Sequence, residues 1–445
     1  MNSPALASRT GPGSTPWPNG IEPTSQFLAA RSFLDEADGH LFVTGRAGTG
    51  KSTLLRCLKD LVNDELVVVA PTGLAAVNVG GQTIHSFFGF PPRLIRPNDI
   101  RRSRNGRLMR RLKFLVIDEV SMVRSDLMWA IDQSLRVNRG RPREPFGGVR
   151  LALFGDLHQL PPVVDEAEMA EHLESEYGGP FFFSIAALRD PPGTSLLELE
   201  QVFRQRDETL LRVLNRIREG DADEADLAVL NEQVHPIRSL SEGEQFVILT
   251  PTNAAARRIN AAYLKALPGR AYEYQAGLTG EFNQAAHPTD EILVLKPGAK
   301  VMLLRNDPDR RWVNGTIARI SRLEERRVWV DVEGNEHEIE QVAWENRRYA
   351  FDRAAEKIVE TVAGTFKQFP LRLAWALTIH KSQGLTLDKV YVDLGRGTFA
   401  HGQAYVALSR SRSLEGLALA RQLRPSDILF DRSAMGYRQI FDKLD

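Results

Sequence analysis

Four short apolar runs, at residues 41–44, 66–70, 114–117 and 151–154, are separated by stretches of helical length and mixed polarity. A continuous run, unlike an alternating one, suits a strand buried on both faces, so the pattern predicts a parallel sheet covered by helices on either side. The rhythm returns at residues 196–199, 246–250, 390–393 and 416–420, with helices expected over 208–218, 253–264 and 403–411. A second sheet of the same kind is predicted. Residues 290–350 depart from this. Strand-like segments at 300–305, 314–320, 327–332 and 336–339 are split by Asn-Asp-Pro-Asp, Asn-Gly and Glu-Gly-Asn turn signals, which predicts a small antiparallel barrel inserted into the second unit. The expected division is a disordered tail over 1–20, rich in Pro, Gly, Ser and Thr; a first α/β unit over 21–194; a second over 195–289 and 361–445; and the barrel over 290–360.

Composition changes this picture in three places. The chain of 445 residues carries 57 basic and 57 acidic side chains, so any nucleic-acid surface has to be local. One such locality is residues 91–113, where Arg93, Arg96, Arg101, Arg102, Arg104, Arg107, Arg110, Arg111 and Lys113 face only Asp99 as an acidic neighbour in sequence. The single Cys57 excludes internal disulfides and cysteine metal sites and suits a reducing compartment. No apolar run reaches the length of a membrane span and the first twenty residues lack a signal-peptide core, so a cytoplasmic protein without a membrane partner is expected.

The chemistry begins where the first strand ends. Residues 45–52 read Gly-Arg-Ala-Gly-Thr-Gly-Lys-Ser, between an apolar strand and a helix-like stretch from Thr53. Gly45, Gly48 and Gly50 allow successive N–H groups, with that of Thr49, to turn inward around a polyphosphate at a helix N-terminus. Lys51 then reaches the β and γ phosphates and Ser52 ligates Mg²⁺. At the next strand ends, Asp118 is expected to organise the Mg²⁺ with Ser52, Glu119 to deprotonate the attacking water, and Gln159 of Gly155-Asp156-Leu157-His158-Gln159 to touch the γ-phosphate. Hydrolysis also needs positive charge on the transferring phosphoryl group. Arg204 and Arg410, both assigned to the second unit, are the candidates, against the default of solvated surface charges.

With these residues in place, the chain resembles the Pif family of superfamily-one DNA helicases, relatives of the RecD-type helicases, across most of residues 24–421. The resemblance rests on Thr72-Gly73-Leu74-Ala75-Ala76 continuing through residues 80–87, on Ile117-Asp118-Glu119-Val120-Ser121-Met122, and on Pro145-Phe146-Gly147-Gly148. Residues 371–384, ending His380-Lys381-Ser382-Gln383-Gly384, and residues 405–410 complete it. It implies an α/β protein of two tandem RecA-like, P-loop domains, with a small basic wedge insertion at 91–113 and an SH3-like β-barrel insertion at 290–360. The implied activity is ATP- and Mg²⁺-dependent translocation along single-stranded DNA from 5′ to 3′ with duplex unwinding, in DNA repair, recombination and genome maintenance. The resemblance also assigns Arg204 and Arg410 to the ATP site, Gln159 to γ-phosphate sensing and Gln26 to adenine reading; an exposed helix cap is the plain alternative for Gln26.

DNA is expected across the tops of both α/β domains, on Thr72, Gly73, His85, Phe87, Thr378, His380, Lys381 and Ser382, whose hydroxyl, imidazole and ammonium groups suit phosphate oxygens. For His85 and Phe87 a core cluster beside Phe88 and Phe90 stands equally open. The basic segment either holds phosphates at a fork or is a solvated arginine face. Expected partners are single-stranded DNA and forks, with G-quadruplexes and RNA–DNA hybrids left open, and the working unit is expected to be a monomer. A translocase that does not unwind is the nearest alternative. A P-loop kinase or GTPase should show one α/β domain with a small-substrate lid, and a DNA scaffold with dead ATP chemistry should have replaced Lys51, Asp118, Glu119 or Arg410; neither pattern is present.

Overall fold

The computed structural model describes residues 23–444 apart from 37, 47, 62–64, 104, 165 and 202–206, so the expected tail, Arg104 and Arg204 lie outside the described residues. The first sheet has seven strands, all parallel, in the order Asp442–Lys443, Thr194–Leu199, His40–Gly45, Arg150–Phe154, Phe114–Ile117, Leu66–Ala70 and Gln82–Thr83. Its apolar runs are continuous because successive side chains enter different cores. Phe42, Val67, Val69, Leu115 and Ile117 face one side; Leu41, Val43, Val68 and Val116 face the other. Each such burial stabilises the sheet by about 1.5–3 kcal/mol.

One strand sits in a different sheet from the one expected. Residues 196–199 belong to the first sheet, in register from His40↔Thr194 to Gly45↔Leu199, and the second sheet takes Ala376–Thr378 instead. An apolar run of this kind specifies burial on two faces but not which neighbour covers its edges, so the sequence pattern could not choose. The last strand, Asp442–Lys443, also returns to the first sheet beside Thr194–Leu199, although the tail end of the chain was expected in the second unit. The second sheet is Ala376–Thr378, Val247–Thr250, Val390–Val392 and Leu417–Leu419, again all parallel. The expected helices appear as Glu208–Glu219, Asn253–Ala266 and Gln403–Leu408.

The expected barrel region contributes four strands to a five-stranded antiparallel sheet, Asn335–Ile339, Val328–Val332, Ile317–Leu323, Lys300–Leu303 and Leu371–Leu373, the last of which lies beyond the expected bounds of 290–360. Beside it a long hairpin, Val342–Asp352 with Lys357–Gln368, reaches away to the first unit. There Tyr349 and Ile358 enter the first core, the Tyr349 hydroxyl accepts from the Val68 N–H at 3.1 Å, and Lys59 pairs with Glu360 at 3.0 Å. In the basic segment, Ile95, Leu108, Met109 and Leu112 are buried in the same core, while Arg96, Arg101, Arg102, Arg107, Arg110 and Arg111 are exposed. Asn138 fixes the segment, accepting from Ser103 N–H at 2.7 Å and donating to Arg101 O at 3.3 Å, and Arg111 reaches Glu356 O at the hairpin tip. Among the described residues no helix is long and apolar enough to cross a membrane.

Candidate nucleotide site and DNA face

The strand His40–Gly45 delivers the glycine-rich loop to the sheet edge, and the helix Lys51–Leu61 leaves from it. Gly45, Gly48 and Gly50 have φ of 145°, 85° and 92°, which side chains with a Cβ rarely adopt. Space demands glycine as well: a Cβ on Gly45 would come within 2.5 Å of Leu199 O, and one on Gly50 within 3.2 Å of the Phe27 ring. The buried Thr49 hydroxyl donates to Arg46 O at 2.9 Å, and the N–H groups of Thr53 and Leu54 start the helix on Gly50 O. Lys51 folds its ammonium back onto Gly45 O and Arg46 O at 2.6 and 3.0 Å. The result is a concave loop with a cation at its rim, the shape and charge a polyphosphate needs. Ser52 is exposed beside it, and its hydroxyl and the Asp118 carboxylate supply the hard oxygen donors that suit Mg²⁺.

Asp118 and Glu119 follow the strand Phe114–Ile117 on the same edge. Glu119 holds the left-handed conformation, φ 51°, ψ 43°, a strain that for a glutamate persists only where surrounding contacts fix it. Burial first, and then the Asp118 carboxylate, push the proton affinity of Glu119 well above the ordinary carboxylate range, against the pull of Lys51. Burial raises Asp118 too, and the backbone N–H of Glu119 and the Lys51 charge offset part of that rise.

After the strand Arg150–Phe154, Asp156 is buried against the fully buried Arg218 of the second unit, Nη2 to Oδ1 at 3.3 Å. Burial alone would raise the Asp156 carboxyl, but Arg218 and Lys51 hold it well below its usual range. Its other oxygen accepts from Gln159 Nε2 at 2.8 Å. Gln383 reaches across from the second unit, its Nε2 donating to Glu119 Oε2 and to Gln159 Oε1, both at 3.0 Å. Arg410, fully buried at the end of the helix Gln403–Leu408, donates to Val406 O, Ser382 O, Leu385 O and the Ser409 hydroxyl. It is close enough to Glu119 to draw that carboxyl's proton affinity down slightly. Among these residues, Arg218 and Gln383 had no role read from the sequence. Gln383 stood in a quoted motif, but nothing in one sequence says that it spans 264 residues to meet Glu119.

Gln26 does not stand as an exposed cap. Thr24 caps that helix, and the half-buried Gln26 amide ties it to the end of the strand Thr194–Leu199, donating to Glu198 O at 2.6 Å and accepting from Glu200 N–H at 3.1 Å.

The expected DNA face divides into exposed and covered groups. Thr72, His380 and Lys381 are exposed. Thr72 also caps its helix through Ala75 N–H at 3.3 Å. His85 is half-buried, and burial with the nearby Arg124 charge holds its imidazole below its ordinary pKa. Phe87 is a core residue, 1% exposed and edge-on to Phe88 and Tyr349, so the base-contact expectation for it is corrected. Thr378 and Ser382 are buried as well, and their hydroxyls shape the turn instead of facing outward: Thr378 accepts from Lys381 N–H and Ser382 donates to Ile379 O. Gly73 is overlaid by the segment around Gln284–Ala286, such that a Cβ there would meet Ala286 Cβ at 2.5 Å.

The profile described as PIF1-like helicase matches residues 26–226. ATP-dependent DNA helicase Pif1 of Bdellovibrio bacteriovorus is 33% identical over 95% of this chain and 93% of its own length. Human ATP-dependent DNA helicase PIF1 is 36% identical over 85% of this chain, which spans 57% of that protein's length. Unliganded Pif1 from Bacteroides sp. superposes with a TM-score of 0.86 at 35% identity, covering 94% of this chain and 97% of that one. Its ssDNA-bound form, at the same identity and coverage, gives 0.66, so the arrangement described above is the one nearer to the DNA-free form. The chain belongs to the PIF1-like helicase family.

Proposed function

We propose that this chain is an ATP-dependent DNA helicase that translocates along single-stranded DNA from 5′ to 3′ and opens duplexes at forks. The observation that carries this reading is a hydrolysis site divided between two units. The loop at residues 45–52, Asp118, Glu119 and Gln159 stand on the first sheet, while the second unit brings Arg410 behind the turn whose Gln383 touches Glu119 and Gln159. A site completed only by closure converts each hydrolysis into a relative movement of the two units. The relatives support the same reading: Bacteroides Pif1 has been solved with ADP-AlF4 and with ssDNA. The cleft draws both walls from one chain, which supports a monomer as the working unit.

In this reading Lys51 exchanges its loop carbonyls for phosphate oxygens, and Ser52 and Asp118 would hold Mg²⁺, which would supply charge neutralisation at the phosphates. Glu119 takes the proton of the attacking water. Gln159 reports the γ-phosphate, and Arg410, with Arg204 from the stretch outside the described residues, stabilises the transferring group. Thr72, His380 and Lys381 hold DNA phosphates on the two units in turn, His85 lies beside that track, and the exposed arginines of residues 91–113 hold phosphates where strands part. We take the first RecA-like unit to run to Leu199 and to include the strand Asp442–Lys443, a division supported by the pairing of both strands in the first sheet.

Strand displacement on duplexes carrying a 5′ or a 3′ single-stranded tail, with and without ATP, tests the proposal. Displacement only with ATP and a 5′ tail is expected. Displacement from 3′ tails refutes the polarity, and ssDNA-stimulated ATP hydrolysis without displacement refutes unwinding.

A further inference from the structure

Resting on the helicase reading above, we propose that Gln383 is a positioning residue that couples DNA to hydrolysis, holding Glu119 and Gln159 together in an idle arrangement until DNA on the neighbouring turn moves it. One amide nitrogen serves both partners, at 3.0 Å each, and both bonds cross from the second unit to the first. The polarity of the contact is fixed from below. Gln159 spends its Nε2 on Asp156, itself locked to buried Arg218, so only its carbonyl oxygen is turned toward Gln383. Flipping the Gln383 amide would set an oxygen against the Glu119 carboxylate and the Gln159 carbonyl, so its donor is held toward them.

The consequence for the site is specific. One oxygen of the proposed base and the oxygen of the proposed γ-phosphate sensor are engaged by the same group, so neither can serve water or phosphate fully while that group stays. The turn that bears Gln383 is compact, with Ser382 N–H bonded to Ile379 O and Gln383 N–H to His380 O. Exposed His380 and Lys381 lie on this turn, immediately before Ser382 and Gln383. Arg410 anchors the carbonyls on both flanks, Ser382 O and Leu385 O, so a pull on His380 and Lys381 turns the Gln383 side chain about a backbone that the arginine keeps in place. A DNA phosphate that draws His380 and Lys381 outward therefore withdraws the amide and releases base and sensor in one step.

Gln383→Met keeps the length and flexibility of the side chain and removes its donor. In full-length protein, steady-state ATP hydrolysis is measured with and without saturating oligo-dT. The DNA-free kcat is expected to rise about fivefold or more, the free-energy equivalent of about one hydrogen bond, while the DNA-saturated kcat stays within about twofold. The stimulation ratio then falls about fivefold, with the KM for ATP and the Kd for oligo-dT each within about twofold of the parent and an unchanged melting temperature. A merely structural role would move KM or the melting temperature, not the ratio. An unchanged ratio, or a fall in either rate, overturns the inference. If the parent protein itself shows no oligo-dT stimulation, the failure lies with the helicase reading instead.

Discussion

Glu119→Gln separates catalysis from stability with one atom. The substitution keeps the shape, leaves the left-handed backbone at 119 in place, and still offers an oxygen to Gln383 Nε2, so the contact between the two units survives. It removes the group proposed to take the proton of water, a contribution of about 10²–10⁴ in rate, or about 3–5 kcal/mol of barrier. ATP and DNA affinities should stay close to the parent values. In the absence of nucleotide and magnesium, the same change should stabilise the fold. Burial and the Asp118 carboxylate raise the proton affinity of Glu119 above its unfolded value. A carboxyl shifted in that direction favours the folded state fully below its unfolded pKa, and this contribution is lost as pH rises through the folded one. Each tenfold displacement of proton affinity is worth about 1.4 kcal/mol, or about 3–6 °C in melting temperature for a unit of some 200 residues. Melting in EDTA at about pH 5 and about pH 8.5, with ATPase assays alongside, measures both effects. The stabilisation should be larger at the higher pH. A variant with parental turnover refutes the base assignment, and a destabilised variant at the higher pH refutes the electrostatic account.

Arg410→Ala should lower the DNA-stimulated kcat by about 10³ or more with a far smaller change in nucleotide Kd, and equal loss in both would mark a binding residue. His40 is buried with Nδ1 accepting from Leu151 N–H, and burial, then Arg150, lower its pKa to about 4. Its contribution is present above pH 6.5 and is lost as pH falls toward 4, so urea midpoints should drop over that window by the equivalent of about 3 kcal/mol; a His40→Asn variant with the same acid slope would contradict this. Neutralising Arg101, Arg102 and Arg107 together should impair fork unwinding more than ssDNA-stimulated ATPase, and equal effects would remove the fork role. On adding ssDNA, hydrogen exchange around Gln284–Ala286 should rise as that segment leaves Gly73, and protection there would contradict displacement.

The sequence made the nucleotide loop, its flanking strand and helix, and the two carboxylates after the strand Phe114–Ile117 readable, because each signal is local: three glycines forced by backbone angle, and apolar runs forced by burial. Phe87 and the strand Thr194–Leu199 were not readable in the same way. The first is apolar in either of its two expected roles, and only Phe88 and Tyr349 packing on it settles the matter. The second has the apolar pattern of any central strand, and its partner is chosen by a register spanning more than 150 residues, His40 to Thr194. Thr378 and Ser382 show a third kind of limit. Small hydroxyl residues at a turn serve equally as outward donors and as clasps for their own backbone, and here they clasp.

The strand Asp442–Lys443 gives the molecule an order of assembly. It follows the whole second unit in chain order, yet it pairs with Thr194–Leu199, which would otherwise be the edge of the first sheet. Throughout synthesis of the whole second unit that edge stands unpaired, an apolar strand open to pairing with other chains. Completion of the second unit carries the covering strand back, so the nascent chain is sealed only once both walls of the ATP cleft exist. A ribosome stalled before Tyr437 would release a product with its nucleotide loop present and its sheet unguarded, and such a fragment is expected to aggregate.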